Sequence, residues 1–105
     1  MEYKFNEKNF EEEVLKSSVP VLVDFYATWC GPCKMMGPKV TAIAEKFEGR
    51  AKVGKVNADE SIGLATKYGI MSIPAFLFFK NGQIVQTVIG AVPQENLEAE
   101  LEKLM

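Results

Sequence analysis

The chain has 105 residues, 48% of them hydrophobic and 25% charged, which suits one domain over residues 1–105 with a real core. Twelve basic against fourteen acidic residues leave a net charge of −2, so the sequence lacks the basic footprint of a nucleic-acid-binding protein. It has no apolar run long enough to span a membrane, no histidine, and only two cysteines, Cys30 and Cys33.

Tyr3-Lys4-Phe5 alternates as a short strand. Asn6 can cap a helix through about Lys16, with Phe10 and Val14 on one face and Glu11, Glu12 and Glu13 towards water. Ser17-Ser18-Val19-Pro20 ends it. Val21–Ala27 is apolar on both faces, as in a strand covered by helices on each side, except for Asp24. A helical pattern follows from about Cys33 to Phe47, with Met36, Val40, Ile43 and Phe47 on one stripe. Met35 and Met36 read as core filler, Gly37-Pro38 should interrupt the helix early, and Gly49 closes it. Ala51–Asn57 is the next strand. Asp59 can cap a helix through Leu64 and Tyr68, ended by Gly69.

The apolar run Ile70–Ile73 reads as core and leads to Pro74, which belongs at the start of the strand Ala75–Lys80 because it cannot donate within a ladder. Asn81-Gly82 is a two-residue hairpin signal, so Gln83–Ile89 should pair antiparallel with that strand. After Gly90 and Pro93, a last helix carries Leu97, Leu101 and Leu104 inward and Glu95, Glu98 and Glu102 outward. The order βαβαβαββα implies an α/β fold with right-handed parallel crossovers, then an antiparallel hairpin.

The chemistry concentrates in Trp29-Cys30-Gly31-Pro32-Cys33-Lys34, between a strand and a helix. A thiol attacks as thiolate, and a helix N-terminus stabilises that anion with unpaired N–H groups and a positive dipole end. Cys30 should sit just before the first turn, with Cys33 one turn on and within reach. Pro32 fits the first turn, and Gly31 leaves the approach to Cys30 open. Zinc normally takes four Cys or His ligands, so a metal site would need a second subunit. A purely structural disulfide gains little from so short a loop, and a Cys–His hydrolase is excluded. Dithiol–disulfide exchange is the reading that remains. The first seven residues lack the apolar core of an export signal, so the expectation is a cytoplasmic protein, where a cysteine pair is more often catalytic than structural. Asp24, in an apolar strand running into the motif, should have a raised pKa.

The segment Asp24–Lys34 resembles the active-site segment of the thioredoxin family, and Pro38, Lys55, Ile73-Pro74, Lys80-Asn81-Gly82 and Gly90 fall where that family has matching residues. The likeness runs from Tyr3 to Leu104. It implies a thioredoxin fold, a mixed five-stranded central sheet flanked by four helices, and a protein-disulfide reductase. It makes Cys30 the nucleophile and Cys33 the resolving thiol, the two forming the redox disulfide. It makes Asp24 the proton acceptor for Cys33, with Lys55 modulating it, and Gly31 and Pro32 the residues that set redox potential. A cis Ile73–Pro74 peptide is implied. So is a flat substrate-docking surface of Trp29, Ile73, Pro74, Gly90, Ala91 and Val92. Expected partners are disulfide-containing proteins and a flavin-containing thioredoxin reductase. The protein itself is expected to be a monomer with no bound cofactor or metal.

Tyr26, Met71-Ser72 and Ala75 depart from common family residues, and Met71-Ser72 borders the groove, which bears on partner preference. Two other readings are a disulfide oxidant or isomerase, whose relatives usually carry a histidine between the cysteines, and a non-catalytic module lending its apolar face to a complex.

Overall fold

The computed structural model describes residues 1–105. Nine elements follow the expected order: β1 (Glu2–Phe5), α1 (Glu11–Leu15), β2 (Val21–Tyr26), α2 (Gly31–Lys46), β3 (Lys52–Asn57), α3 (Ile62–Lys67), β4 (Ala75–Lys80), β5 (Gln83–Ile89) and α4 (Gln94–Glu102). The five strands form one mixed sheet in the order β1-β3-β2-β4-β5. β1 and β2 both run parallel to β3, whereas β4 runs antiparallel to β2 and to β5.

Strand alternation divides the interior into two cores. Leu22, Val53, Phe76 and Phe78 face α2 and α4, meeting Met36, Val40, Ile43, Leu97 and Leu101. Val23, Phe25, Val56, Leu77 and Phe79 face the other way, against Phe10, Val14 and Leu64 of the α1 and α3 side. A sheet covered on both faces explains why β2 and β4 are almost wholly buried. The hairpin turn is as expected: Asn81 (φ 54°) and Gly82 (φ 78°) both take the left-handed conformation that a two-residue turn between twisted strands requires.

Several expectations are revised. Asn6 does not cap α1 itself, whose N-cap is Phe10 with no side-chain cap. The Asn6 side chain accepts from the N–H groups of Lys8 (2.8 Å) and Asn9 (3.1 Å) in the turn that leads into the helix, while Asn9 Oδ1 accepts from Asn6 N–H. That helix is short and wound as a π-helix, with Lys16 N–H reaching back to Glu11 O at 2.9 Å. α2 begins at Gly31 rather than Cys33 and runs on through Pro38. Met36 is core but Met35 is 62% exposed, because successive helix positions point about 100° apart and only one can lie on the stripe. Asp59 does not cap α3. Asn57 Oδ1 instead accepts from the N–H groups of Asp59 and Glu60, leaving the Asp59 carboxylate free for another contact.

Gly54, in the middle of β3, sits where β1 crosses closest. A Cβ there would lie 2.6 Å from both Phe5 Cε2 and Tyr3 O. Gly54→Ala is therefore expected to cost roughly 2–3 kcal/mol, because the obstruction is partly backbone. Urea unfolding checks this, and an unchanged midpoint would show that β1 yields freely.

Candidate functional site

β2 ends at Tyr26, and the chain turns through Ala27-Thr28-Trp29 into α2. Cys30 occupies the N-cap of α2 with extended backbone (φ −90°, ψ 114°), and its Sγ accepts the Cys33 N–H at 3.2 Å. Pro32 lies in the first turn, where its absent N–H costs nothing. Cys30 and Cys33 are joined by a disulfide, their Cα atoms 5.2 Å apart. Both residues are 5% exposed, so burial does not tell the sulfurs apart, but position on the helix does. Beside Gly31 there is open space: a Cβ there would meet nothing within 4 Å.

The disulfide has a small apolar setting of its own, Ala27, Cys30 and Cys33 with Tyr26 and Ile73 packed against them. Ile73–Pro74 is a cis peptide, and Cys30 Sγ lies 3.9 Å from Ile73 O. Gly90 N–H donates to Pro74 O at 2.8 Å, which ties the Gly90-Ala91-Val92 segment to the cis-proline loop. Around this rim Trp29 is 70% exposed, Ala91 is exposed, Ile73 and Gly90 are half-buried, and Pro74 is buried. Val92 turns partly inward against the α2 and α4 core. Met71 stands beside the loop and is 93% exposed. Trp29 Nε1 donates to Asp59 Oδ2 at 2.8 Å, so the residue read as a helix cap instead fixes the indole next to Cys30.

Asp24 shares the α2 face of the sheet with Leu22 and is 1% exposed. Burial pushes its pKa up from 3.8 to about 7; nearby Lys55 pulls it down and Glu2 pushes it further up. Lys55 is its register partner on β3. The Lys55 ammonium nevertheless forms its ion pair with Glu2 Oε2 of β1 at 3.2 Å, a charge contact without hydrogen-bond geometry, and Asp24 Oδ1 has neither an ion pair nor a hydrogen-bond partner. Glu2 is in turn held by Thr41 of α2, whose hydroxyl donates to Glu2 Oε1 at 2.8 Å. A cleft of about 760 Å³ runs along β1 and past the ends of β2 and β3, with Glu2, Tyr26, Lys55 and Asn57 among its walls and neither cysteine lining it.

Sequence reasoning missed Glu2, Thr41 and Asp59. Alternation along β1 offered a faint signal for Glu2, since Glu2 and Lys4 must share one face. Nothing local in the sequence points Thr41 or Asp59 at these partners.

A redox-active cysteine pair capping a helix that leaves a covered mixed sheet defines a thiol–disulfide oxidoreductase. The comparisons specify it further. The thioredoxin family model matches residues 2–103. Thioredoxin 1 of Nostoc is 55% identical over 97 residues, covering 92% of this chain and 91% of that protein. Thioredoxin 1 of Synechococcus elongatus is 54% identical over 94 residues, covering 90% and 88%. The chloroplastic M-type thioredoxin of Spinacia oleracea is 48% identical over 100 residues, covering 95% of this chain and 55% of that protein. The chain belongs to the thioredoxin family. It reduces protein disulfides by dithiol–disulfide exchange through Cys30-Gly31-Pro32-Cys33.

Proposed function

We propose that residues 1–105 work as one domain in which Cys30 is the attacking sulfur, Cys33 the resolving one and Asp24 the proton acceptor. The observation carrying this is the place of Cys30 at the N-cap of α2, where its sulfur already takes a backbone N–H. The Cys30 thiolate attacks one sulfur of a substrate disulfide, forming a mixed disulfide and expelling the other substrate sulfur as thiolate. Cys33 then gives its proton to Asp24 and attacks Cys30 Sγ. The second substrate thiolate leaves, and the electron pair taken up by the substrate is matched by the Cys30–Cys33 bond formed. Asp24 suits this role because burial brings its pKa to about 7, so it can accept a proton near neutral pH.

Lys55 modulates Asp24 from the neighbouring strand, and Gly31 and Pro32 set the redox potential from the turn between the sulfurs. Trp29, Ile73, Pro74, Gly90, Ala91 and Val92 form the docking surface. Its support is the Gly90–Pro74 hydrogen bond, which brings the two segments together beside Cys30. The partners are disulfide-containing proteins and a flavin-containing thioredoxin reductase, and the protein acts as a monomer in the cytoplasm. No helix is long and apolar enough to cross a membrane.

The test is reduction of insulin disulfides, driven by NADPH and a flavin-containing thioredoxin reductase. Steady NADPH consumption that depends on this protein is expected. Consumption that never exceeds that of the reductase alone would reject the partner. Failure to reduce insulin even with chemical reductant would instead favour the non-catalytic module. Efficient reshuffling of a scrambled disulfide protein with poor insulin reduction would favour the isomerase.

A further inference from the structure

Three charged side chains from neighbouring strands meet beneath α2, two of them acidic and one basic. In register, Lys55 of β3 stands between Lys4 of β1 and Asp24 of β2. A Cβ on Gly37 of α2 would lie 3.6 Å from Lys55 Nζ, which places the ammonium under the middle of that helix. From there the ammonium pairs with Glu2 and with no other carboxylate. Asp24, although nearly inaccessible, keeps an oxygen without any partner. Glu2 does not merely drift near: Thr41, on the helix that carries both cysteines, fixes its other oxygen. The Thr41 hydroxyl also lies 3.2 Å from Gly37 O, but its one proton favours the nearer, charged acceptor.

We infer that Glu2 is a positioning residue for the redox reaction: held by Thr41, it keeps the Lys55 ammonium for itself and so denies Asp24 a counter-ion. The inference rests on the reading of Asp24 as proton acceptor. A buried carboxylate paired with an ammonium would be a poor base at neutral pH, because pairing favours its ionised form. By drawing Lys55 towards β1, Glu2 leaves Asp24 able to hold the proton that Cys33 gives up. Two charges act on Asp24, Lys55 from β3 and Glu2 from β1. β4 sets Phe76 beside it, and no charge from α2 acts on it.

The experiment follows the Asp24 carboxyl by carbon NMR through a pH titration of the full oxidised chain. It compares wild type, Glu2→Gln, Glu2→Leu, Lys55→Met and Glu2→Gln/Lys55→Met. In Glu2→Gln the ammonium is released towards Asp24, and the Asp24 midpoint should fall by about one pH unit. Glu2→Leu, which removes the acceptor altogether, should lower it at least as far. In the Lys55→Met background the same Glu2→Gln change should move the midpoint by less than half as much, since the contested cation is gone. The pH profile of insulin reduction should shift to acid in step with the midpoint in Glu2→Gln.

A midpoint that stays put or rises in Glu2→Gln overturns the inference. So does an equal fall with and without Lys55, which would make Glu2 a direct charge rather than a holder of Lys55. A midpoint that falls while the rate profile stays fixed also overturns it. Failure of the underlying reading looks different: Asp24→Asn would then turn over at the wild-type rate.

Discussion

Cys33→Ser is expected to accumulate a covalent mixed disulfide with substrate proteins, joined through Cys30, whereas Cys30→Ser should trap nothing. Both variants lose essentially all turnover in insulin reduction, since the reaction needs two sulfurs in sequence. The asymmetry comes from the start of α2. Cys30 caps the helix and its sulfur takes the Cys33 N–H at 3.2 Å, while Cys33 sits within the first turn. A helix N-terminus favours an anion by ~1–2 kcal/mol in partly buried settings, which is about tenfold in thiolate population at a given pH. In the reduced protein Cys30 should therefore be alkylated about tenfold faster than Cys33 at neutral pH. Mass spectrometry of partly alkylated protein reads this directly. Equal rates would assign the wrong sulfur as nucleophile, and a mixed disulfide recovered from Cys30→Ser would reverse the two roles.

Asp24→Asn should give a protein that is more stable at neutral pH and slower. With the folded pKa raised from 3.8 to about 7, Asp24 contributes its full share of stability only below about 3.8, and loses it as pH climbs through 7. At and above pH 7 the ionised, buried group costs roughly 4 kcal/mol. Asparagine removes the charge but still brings a polar amide into the same apolar setting, so a net gain of about 2–3 kcal/mol is expected. The gain should shrink as pH falls towards 4. Turnover should drop by at least about tenfold, because Cys33 loses its local proton acceptor. Urea unfolding at pH 4 and pH 8, together with insulin reduction, checks both halves. Destabilisation at pH 8 would make Asp24 a structural carboxylate, and wild-type turnover would remove it from the mechanism.

The fold was largely legible because its signals are local. Asn81-Gly82 dictates a hairpin by backbone conformation alone, Pro74 can only start a strand, and Met36, Val40 and Ile43 mark a buried helix face by spacing. The cysteine pair was legible for the same reason, its two sulfurs being separated by a single helical turn. Contacts between remote segments were not. Glu2 meets Lys55 only because β1 pairs with β3 in one register, and a slip of one residue would turn Glu2 to the other face. Asp59 was read as a cap because Asp suits that position, yet the helix starts only at Ile62 with Ser61 at its N-cap. The turn before it is organised by Asn57, which takes the N–H groups of Asp59 and Glu60. Met35 looked like core by residue type, and only the angle between successive helix positions sends it to solvent.

The strand order gives the site a history within folding. β4 and β5 close over two residues, a local event, but β1 joins the sheet beside β3, with residue 2 opposite residue 53. Docking of β1 must therefore overcome the closure entropy of a long intervening chain and wait until β3 exists to receive it. Until it docks, Lys55 has no Glu2 to hold it. β1 is also an edge strand of only four residues, the kind of segment that opens locally at little cost. Under the proposed mechanism, fraying there would free the ammonium and retune Asp24 without breaking the disulfide. The electrostatics proposed for Asp24 thus depend on a four-residue edge strand, and hydrogen exchange along Glu2–Phe5 measures how often they are complete.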